Sequence, residues 1–264
     1  MAVSIAKEKG FMVDDIPKIV LQIANAAKYQ EESKTFDLTC IDKKLLDSLF
    51  PFQKEGIQFT PLLIFRFAIR NAGRILLADD MGLGKTIQAI GIACYYSIEW
   101  PLLVICPASL TISWMEAFIE WLPHTVKSEN IQLIRSKESF YGGEEKRIFI
   151  VSYDMAVRLA HSFSSCKPFH VIIADESHCL KSPDSKRSKI ITPMLQNSSR
   201  AILLSGTPAL SNPIELFQQI KSLSPKMFPS LLSFGKRSFF SFIFQILRWN
   251  QGIFRMGIQK SHKY

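Results

Sequence analysis

Residues 74–90, RILLADDMGLGKTIQAI, join an apolar run, two acids, two glycines and one lysine to apolar residues at helical spacing. Glycines let backbone N–H groups approach phosphate oxygens closely, and the start of a helix adds a favourable partial charge. In such a loop Lys85 would reach the β- and γ-phosphates and Thr86 would bind Mg²⁺. The match is partial, because Asp79 stands where the strict pattern has its first glycine. The segment predicts a phosphate-binding loop; the alternative is a glycine-rich turn with an incidental lysine.

A second candidate site follows the apolar run VIIA, residues 171–174, which ends in Asp175 and Glu176. Two adjacent carboxylates at the end of a buried strand are costly unless they meet a cation or water. Asp175 would hold Mg²⁺ directly or through water, and Glu176 would orient and deprotonate an attacking water. The alternative is that these acids cap the next helix or pair with Lys181.

A third polar segment, Ser205-Gly206-Thr207-Pro208, follows the apolar run AILL. Taken alone it is ordinary turn chemistry, because glycine allows a positive φ and proline ends a strand.

Hydroxyl and aromatic side chains near residue 110 could contact nucleic acid. Ser109 and Thr111 could donate to DNA phosphates or cap a helix. Three aromatic residues recur at helical spacing, which favours a buried face over stacking on bases: Trp114, Phe118 and Trp121.

Short apolar runs alternate with longer segments of helical spacing from residue 74 onward. The predicted strands are 74–78, 102–106, 131–134, 148–152, 170–174 and 200–204. The predicted helices are 85–97, 109–121, 153–163, 185–196 and 212–222, with further helices around a loop before residue 74. Runs such as LLVIC are apolar at every position, as in parallel strands covered on both faces. The sequence predicts an α/β fold with a mostly parallel sheet, helices on both faces and a ligand at the carboxyl ends of the strands.

The net charge of +9 is concentrated near the end of the chain. Glu215 is the last acid and eight basic residues follow it, so residues 1–215 are nearly neutral and the total charge says little about partners. The longest stretch without a charged residue, 100–115, is interrupted by Pro107 and too short for a membrane span, so no membrane association is expected. The five cysteines lack paired short spacings, which favours a reducing compartment without disulfides or zinc.

Several segments together resemble the motifs of superfamily 2 helicase-like ATPases, in particular their SWI/SNF-type branch. DDMGLGKT is similar to motif I, CPASLTISWMEAF to motif Ia, DESH to motif II and SGTP to motif III. FPFQKEGI, residues 50–57, resembles the glutamine motif, whose Gln53 would read the adenine. DESHCLKSPDSKRSK and RAILLSGTPALSNPIELFQQI look closest to the DNA-annealing, fork-remodelling helicases, including the zinc-finger Ran-binding-domain-containing kind.

This resemblance implies a P-loop NTPase lobe of RecA-like fold that binds ATP and Mg²⁺ and hydrolyses ATP in response to DNA. The implied nucleotide-binding residues are Gln53, Asp80, Met81, Gly82, Leu83, Gly84, Lys85 and Thr86. The implied catalytic residues are Lys85, Asp175 and Glu176, and the implied metal ligands are Thr86 and Asp175. The turn at 205–207 would couple the nucleotide state to the grip on DNA. The resemblance further implies branched or fork DNA as the partner and the nucleus as the location.

The predicted domains are a lead at 1–44, a RecA-like ATP-binding lobe at 45–225 and an aromatic, basic tail at 226–264. The length leaves room for one lobe, so the second RecA-like lobe, which carries the arginine fingers in the family, is expected to be missing. The residues QFTPLLIF after the glutamine motif look inserted, and the tail after Arg237 matches nothing expected of the family. Both departures would fit an altered transcript, and the tail is expected to be poorly ordered rather than bound to nucleic acid or membrane.

Several functions stay open on the sequence alone. The first is a DNA-stimulated motor that re-anneals or remodels branched DNA. The second is a lobe that binds nucleotide but hydrolyses it slowly, because arginine fingers are worth roughly 10³–10⁵ in rate. A fragment of a chromatin-remodelling ATPase and a non-enzymatic scaffold are further alternatives. P-loop kinases and GTPases are discounted, because they rarely combine a glutamine motif, DESH and SGTP in this order.

Overall fold

A computed structural model of the chain describes residues 38–58, 73–79, 81–137, 140, 146–165, 168–206 and 215–225. The strands in these ranges are β1 (Arg74–Leu77), β2 (Leu102–Cys106), β3 (Ile131–Ile134), β4 (Ile148–Ser152), β5 (Val171–Ala174) and β6 (Arg200–Leu204). They form one sheet in the order β1-β6-β5-β2-β4-β3, and every neighbouring pair is parallel. The predicted α/β fold with a parallel sheet is confirmed, and each strand lies within one residue of its predicted bounds.

The helices before the fourth strand are α1 (Lys43–Ser48), α2 (Pro51–Gln58), α3 (Lys85–Tyr95) and α4 (Thr111–Trp121). Those after it are α5 (Tyr153–Arg158), α6 (Ala160–Ser164), α7 (Lys186–Asn197) and α8 (Glu215–Leu223). Short 3₁₀ turns occupy Ser97–Glu99, Ala108–Leu110, Ser128–Asn130 and Ser177–Leu180. No helix in the described ranges combines the length and the apolar character that crossing a bilayer requires.

The prediction of one helix over 153–163 is wrong, because α5 ends at Arg158 and α6 begins at Ala160. Leu159 between them has φ −96° and ψ 5°, which lie outside the helical region, and its side chain is buried in the core. Apolar spacing continues through such a one-residue departure and therefore does not reveal it. The QFTPLLIF segment beyond Gln58, the start of the helix predicted at 212–222 and the tail lie outside the described residues.

Alternate residues of each strand belong to two hydrophobic cores, one on each face of the sheet. In β2, Leu102 and Val104 pack with helices α1 to α4, whereas Leu103 and Ile105 pack with helices α5 to α8. Coverage on both faces explains why the strands read as unbroken apolar runs. Ile41 belongs to the first core. The buried core therefore begins before residue 45, where the sequence places the start of the lobe.

The three polar segments singled out in the sequence meet at one edge of the sheet. In a parallel sheet all carboxyl ends lie at the same edge, and β6 lies between β1 and β5. The phosphate-loop segment after β1, the pair Asp175-Glu176 after β5 and the turn Ser205-Gly206 after β6 are therefore neighbours. The Ser205 N–H donates to the Leu77 carbonyl over 3.1 Å, which ties the end of β6 to that of β1. A doubly covered parallel sheet places ligands at this edge.

Arg74 is the first residue of β1, so it lies at the amino ends of the strands, opposite the candidate site. Its side chain joins β1 to the carboxyl ends of two helices. Its Nη2 donates to the carbonyls of Leu195 and Ser222, each over 2.8 Å. Its Nη1 donates to the Ser198 carbonyl over 2.6 Å, and its Nε donates to the Leu223 carbonyl over 2.8 Å. The last carbonyls of a helix have no partner within that helix. One guanidinium therefore satisfies carbonyls at the ends of both α7 and α8, which pack against the same face of the sheet.

We expect Arg74→Met to lower the free energy of unfolding by about 3 kcal/mol, because each buried carbonyl left unpaired costs about 1–3 kcal/mol. Methionine keeps the length of the side chain but has no donor. The matched control is Arg187→Met, whose guanidinium pairs with Asp154 over 2.8 Å at an exposed site. Such surface pairs are worth at most about 1 kcal/mol. Urea denaturation of both variants measures the difference, and equal losses would contradict the assignment of Arg74 as a structural clamp.

Candidate nucleotide-binding and catalytic site

The loop after β1 has the backbone geometry of a glycine-dependent turn. Gly82 and Gly84 have φ of 83° and 74°, in the left-handed region that L side chains rarely adopt. A Cβ at Gly84 would also collide with Nε2 of Gln53, so this position requires glycine for two reasons. Helix α3 begins at the next residue, Lys85, which places the helix N-terminus against the loop. The Met81 side chain in this loop is 80% exposed. Asp80 lies outside the described residues.

Asp79, which departs from the strict motif, fits this loop without strain. Among the described residues Glu176 is the only non-glycine with a positive φ, so the position of Asp79 does not need a glycine. Its carboxylate accepts from Nε2 of Gln88 over 3.3 Å, and its carbonyl accepts from Nζ of Lys85 over 2.9 Å. Asp79 thus connects β1 to α3. Thr86 is the second residue of α3 and is partly exposed beside the loop.

Gln53 on α2 is buried and packs against the loop after β1. Its Oε1 accepts from the Phe50 N–H over 2.9 Å, and its Nε2 donates to the Leu83 carbonyl over 3.2 Å. An amide offers two N–H hydrogens and two carbonyl lone pairs, so these two bonds use half of its capacity. Gln53 therefore supports the loop directly, a role that sequence reasoning missed, and retains the donor and acceptor that adenine reading would use.

We expect Gln53→Glu to reduce the preference for ATP over GTP by about tenfold, since a paired amide contact to adenine is worth about 1–3 kcal/mol of discrimination. Glutamate keeps the shape but replaces the amide donor by an acceptor. Competition between ATP and GTP for a fluorescent nucleotide measures the effect. Gln196→Glu is the control, because Nε2 of Gln196 bonds only to the Lys221 carbonyl among the contacts described, near the ends of α7 and α8. An unchanged preference in Gln53→Glu would contradict adenine reading.

Asp175 lies directly after β5, and four bonds hold it. Its N–H donates to the Ile105 carbonyl over 2.8 Å, and its own carbonyl accepts from the Tyr153 hydroxyl over 2.8 Å. Of its carboxylate oxygens, Oδ1 accepts from the Glu176 N–H and Oδ2 accepts from Nε1 of Trp114, each over 2.9 Å. From the sequence, Trp114 is expected only on a buried helix face, and no pattern marks Tyr153 as a site residue.

The pKa of the Asp175 carboxyl depends on burial and on neighbours that include Lys85 of the loop after β1. Burial raises the pKa of the Asp175 carboxyl above its ordinary value, and the nearby Glu176 carboxylate raises it further. The hydrogen bonds from Trp114 and from the Glu176 N–H act in the opposite direction, as does the positive charge of Lys85. The positive charge of Lys85, in the loop after β1, therefore favours the ionised form of Asp175.

Glu176 has a backbone conformation that is unusual for its residue type. Its φ of 51° and ψ of 50° lie in the left-handed region, and such strain is concentrated at functional sites. Its Oε2 lies 3.1 Å from Nδ1 of His178, which in turn lies 3.3 Å from Oγ of Ser205. The Glu176 side chain makes no capping bond to the following turn, so the capping alternative is not observed for it.

The turn after β6 packs against the loop after β1. A Cβ at Gly206 would lie 2.9 Å from Cγ of Met81 and 3.8 Å from Nζ of Lys85. A side chain at position 206 would therefore have to displace the exposed Met81 side chain. Gly206 does not have a positive φ, since the positive-φ glycines among the described residues are Gly73, Gly82 and Gly84. The other two residues of the turn, Thr207 and Pro208, lie outside the described part of the chain.

Helix α4 confirms the expectation of a buried aromatic face. Trp114 and Phe118 are buried, and Trp121 is partly buried with Nζ of Lys44 lying 5.8 Å from its ring centroid. Capping by the nearby hydroxyls is not observed, because α4 has no side-chain cap. The Thr111 hydroxyl donates to the Ala108 carbonyl over 2.9 Å.

A parallel sheet whose first strand leads into a glycine-rich loop and helix, with carboxylates at the end of a nearby strand, is typical of P-loop nucleotide-binding folds. The family model described as the SNF2-related domain matches residues 29–247. The chain belongs to the SNF2-related domain family, which confirms the predicted SWI/SNF-type resemblance.

Curated relatives include proteins of the predicted subfamily. The chain is 42% identical over 230 residues to "SWI/SNF-related matrix-associated actin-dependent regulator of chromatin subfamily A-like protein 1" of Xenopus tropicalis, covering 85% of this chain and 23% of the relative. It is 42% identical over 203 residues to "DNA annealing helicase and endonuclease ZRANB3" of Mus musculus, covering 76% of this chain and 18% of the relative. The chain thus spans less than a quarter of the length of these relatives.

A solved structure supports the same assignment of fold. The chain is similar to "Sulfolobus solfataricus SWI2/SNF2 ATPase core in complex with dsDNA" with a TM-score of 0.60 and 27% sequence identity. The similarity covers 76% of this chain and 40% of that chain. The predicted RecA-like lobe is confirmed as the fold.

Proposed function

We propose that this chain is the ATP-binding lobe of a DNA-dependent ATPase that re-anneals or remodels branched DNA, including replication forks. Membership of the SNF2-related domain family supports the ATPase activity. The relative named as a DNA annealing helicase supports the DNA substrate. The observation that carries the proposal is the meeting of Lys85, Asp175 and Glu176 at one edge of the sheet, beside the turn Ser205-Gly206.

Nucleotide binding would use the loop Met81–Thr86 together with Asp80. The ammonium of Lys85 has three donors, so it could bind phosphate oxygens while exchanging or keeping its bond to the Asp79 carbonyl. Backbone N–H groups at the start of α3 would meet the same phosphates. Gln53 would contact the adenine. Gly82 leaves open space for this approach, since no atom lies within 4 Å of the position that a Cβ would take there.

The oxygen donors of Thr86 and Asp175 fit Mg²⁺, which prefers hydroxyl, carboxylate, phosphate and water oxygens. Bound Mg²⁺ would neutralise charge that develops on the phosphates. Lys85, Asp175 and Glu176 are then the catalytic residues. Glu176 would accept a proton from the attacking water, and its partial exposure gives water access to the carboxylate. The contacts from Glu176 to His178 and on to Ser205 would carry the state of the site to the turn after β6.

The proposed RecA-like lobe, placed at 45–225 from the sequence, begins a few residues earlier because Ile41 packs in its core, with a lead before it and a tail after it. Branched or fork DNA is the proposed partner, and the name of the Sulfolobus structure, which includes double-stranded DNA, supports binding of a duplex by this class of lobe. The chromatin and DNA-helicase names of the relatives support a nuclear location.

Equilibrium binding and ATPase assays on the 264-residue chain test the proposal. We expect Mg²⁺-dependent binding of ATP and hydrolysis that forked DNA stimulates more strongly than linear duplex. Lack of nucleotide binding would contradict the proposed function and favour a scaffold. Equal stimulation by fork and linear DNA would retain the ATPase and remove the fork preference.

A second candidate is a lobe that binds ATP but hydrolyses it slowly. The resemblance places the arginines that neutralise the transition state on a second lobe, and such arginines are worth roughly 10³–10⁵ in rate. Tight nucleotide binding together with turnover that DNA does not increase would favour this candidate over the motor.

A further inference from the structure

Trp114 connects helix α4 to the proposed metal-binding carboxylate. Its side chain is 2% exposed, and its ring packs against Phe118 with centroids 5.9 Å apart. From this buried position Nε1 donates to Oδ2 of Asp175 over 2.9 Å, across 61 residues of sequence. A packed ring has little rotational freedom, so the direction of its N–H is fixed by the core.

The remaining contacts of Asp175 leave its Oδ2 dependent on Trp114. The backbone of Asp175 is fixed through Ile105 and Tyr153, and Oδ1 accepts from the adjacent Glu176 N–H. These contacts hold the main chain and one carboxylate oxygen. Among the described contacts, the bond from Trp114 is the one that reaches the carboxylate from a residue distant in the sequence. It fixes the rotation of the carboxylate about the Cβ–Cγ bond.

We propose that Trp114 is a positioning residue that sets the orientation of the Asp175 carboxylate for Mg²⁺. The inference rests on the proposed function, since it gives Asp175 the metal-binding role. An indole N–H is a donor only, so it can neither bind the metal nor take a proton. Its action passes through Asp175. Partners of metal-binding carboxylates orient these ligands, and their loss typically lowers metal affinity about 10–100-fold.

Trp100 provides a matched comparison for the loss of an indole hydrogen bond. Its Nε1 donates to the Ala93 carbonyl over 3.0 Å near the end of α3, and its ring contacts the same core as Trp114. Trp100→Phe and Trp114→Phe each keep an aromatic ring and remove one N–H donor. Only the second substitution removes a donor from Asp175.

The test is the Mg²⁺ dependence of binding of a fluorescent ATP analogue to the full chain. We expect the Mg²⁺ concentration for half-maximal enhancement of binding to rise at least about tenfold in Trp114→Phe and to stay unchanged in Trp100→Phe. Binding of the analogue without Mg²⁺ should be equal in all three proteins, because the phosphate loop is intact. A purely structural role of Trp114 would instead alter both measurements together.

Each of three results with the variants would overturn the inference. The first is an unchanged Mg²⁺ dependence in Trp114→Phe, and the second is an equal shift in Trp100→Phe. The third is loss of Mg²⁺-free nucleotide binding in folded Trp114→Phe alone. If the wild-type chain binds the analogue without any Mg²⁺ effect, the inference fails while nucleotide binding stands; if it binds none, the proposed function fails as well.

A second measurement on the wild-type chain applies even if Trp114→Phe does not fold. The chain has four tryptophans, so indole ¹⁵N labelling gives four signals, and Phe variants at 100, 121 and 249 assign that of Trp114 by elimination. We expect the Trp114 signal to shift when Mg²⁺ is added to the nucleotide-bound chain and the Trp100 signal to stay in place. A Trp114 signal that is unaffected by Mg²⁺ would contradict the inference.

Discussion

Lys85→Ala should weaken binding of Mg²⁺-ATP by about 100-fold, because each hydrogen bond to a charged group contributes about 1.5–3 kcal/mol and Lys85 would make at least two. The same substitution removes the positive charge that lowers the pKa of Asp175, so the carboxylate loses stabilisation as well. Isothermal titration of ATP into the variant in the presence of Mg²⁺ measures the effect. ATP hydrolysis should be lost with the binding.

The control for this substitution is Lys127→Ala. The Lys127 side chain is 79% exposed and its Nζ lies 3.8 Å from Oε1 of Glu129. We expect this variant to bind ATP as the wild type does. Affinity within twofold of wild type in Lys85→Ala would show that the loop after β1 does not hold the phosphates.

Glu176→Gln should lower the rate of ATP hydrolysis by about 10²–10⁴, the usual contribution of a positioned general base. Glutamine keeps the size of the side chain but cannot accept the proton of the attacking water. Nucleotide binding should persist within a few-fold, because the phosphate loop is unaltered. Single-turnover hydrolysis with the chain in excess over ATP measures the chemical step even if turnover is slow.

Asp154→Asn serves as the matched control for Glu176→Gln. Asp154 pairs with Arg187 at an exposed position at the start of α5, which follows β4, two strands away from β5 in the sheet. Its variant should hydrolyse ATP at the wild-type rate. A rate in Glu176→Gln equal to that of this control would assign proton transfer to another group.

The strands were the most predictable part of the fold. Residues 102–106 are apolar throughout because β2 is covered by helices on both faces, and such a run has few other interpretations. The order of the strands was not predictable in the same way. Parallel neighbours such as β1 and β6 are joined by long stretches of chain, so no local pattern records which strands pair.

For the candidate site, the sequence is informative where the geometry depends on residues that are neighbours in the chain. Gly82 and Gly84 have the torsions that a phosphate loop needs, and Asp175 follows a buried strand. The contacts from Trp114 and Tyr153 to Asp175 were not predictable, because they join residues 61 and 22 positions apart. Long-range hydrogen bonds from buried aromatics leave no periodic signal.

A crystal structure of the chain with Mg²⁺ and a non-hydrolysable ATP analogue tests most directly whether the ends of β1 and β5 form one phosphate and metal site. We expect Nζ of Lys85 within hydrogen-bonding distance of the γ-phosphate, and Mg²⁺ between the Thr86 hydroxyl and the Asp175 carboxylate, bound directly or through water. A nucleotide bound elsewhere, or a metal held without either side chain, would contradict a phosphate and metal site shared by the ends of β1 and β5.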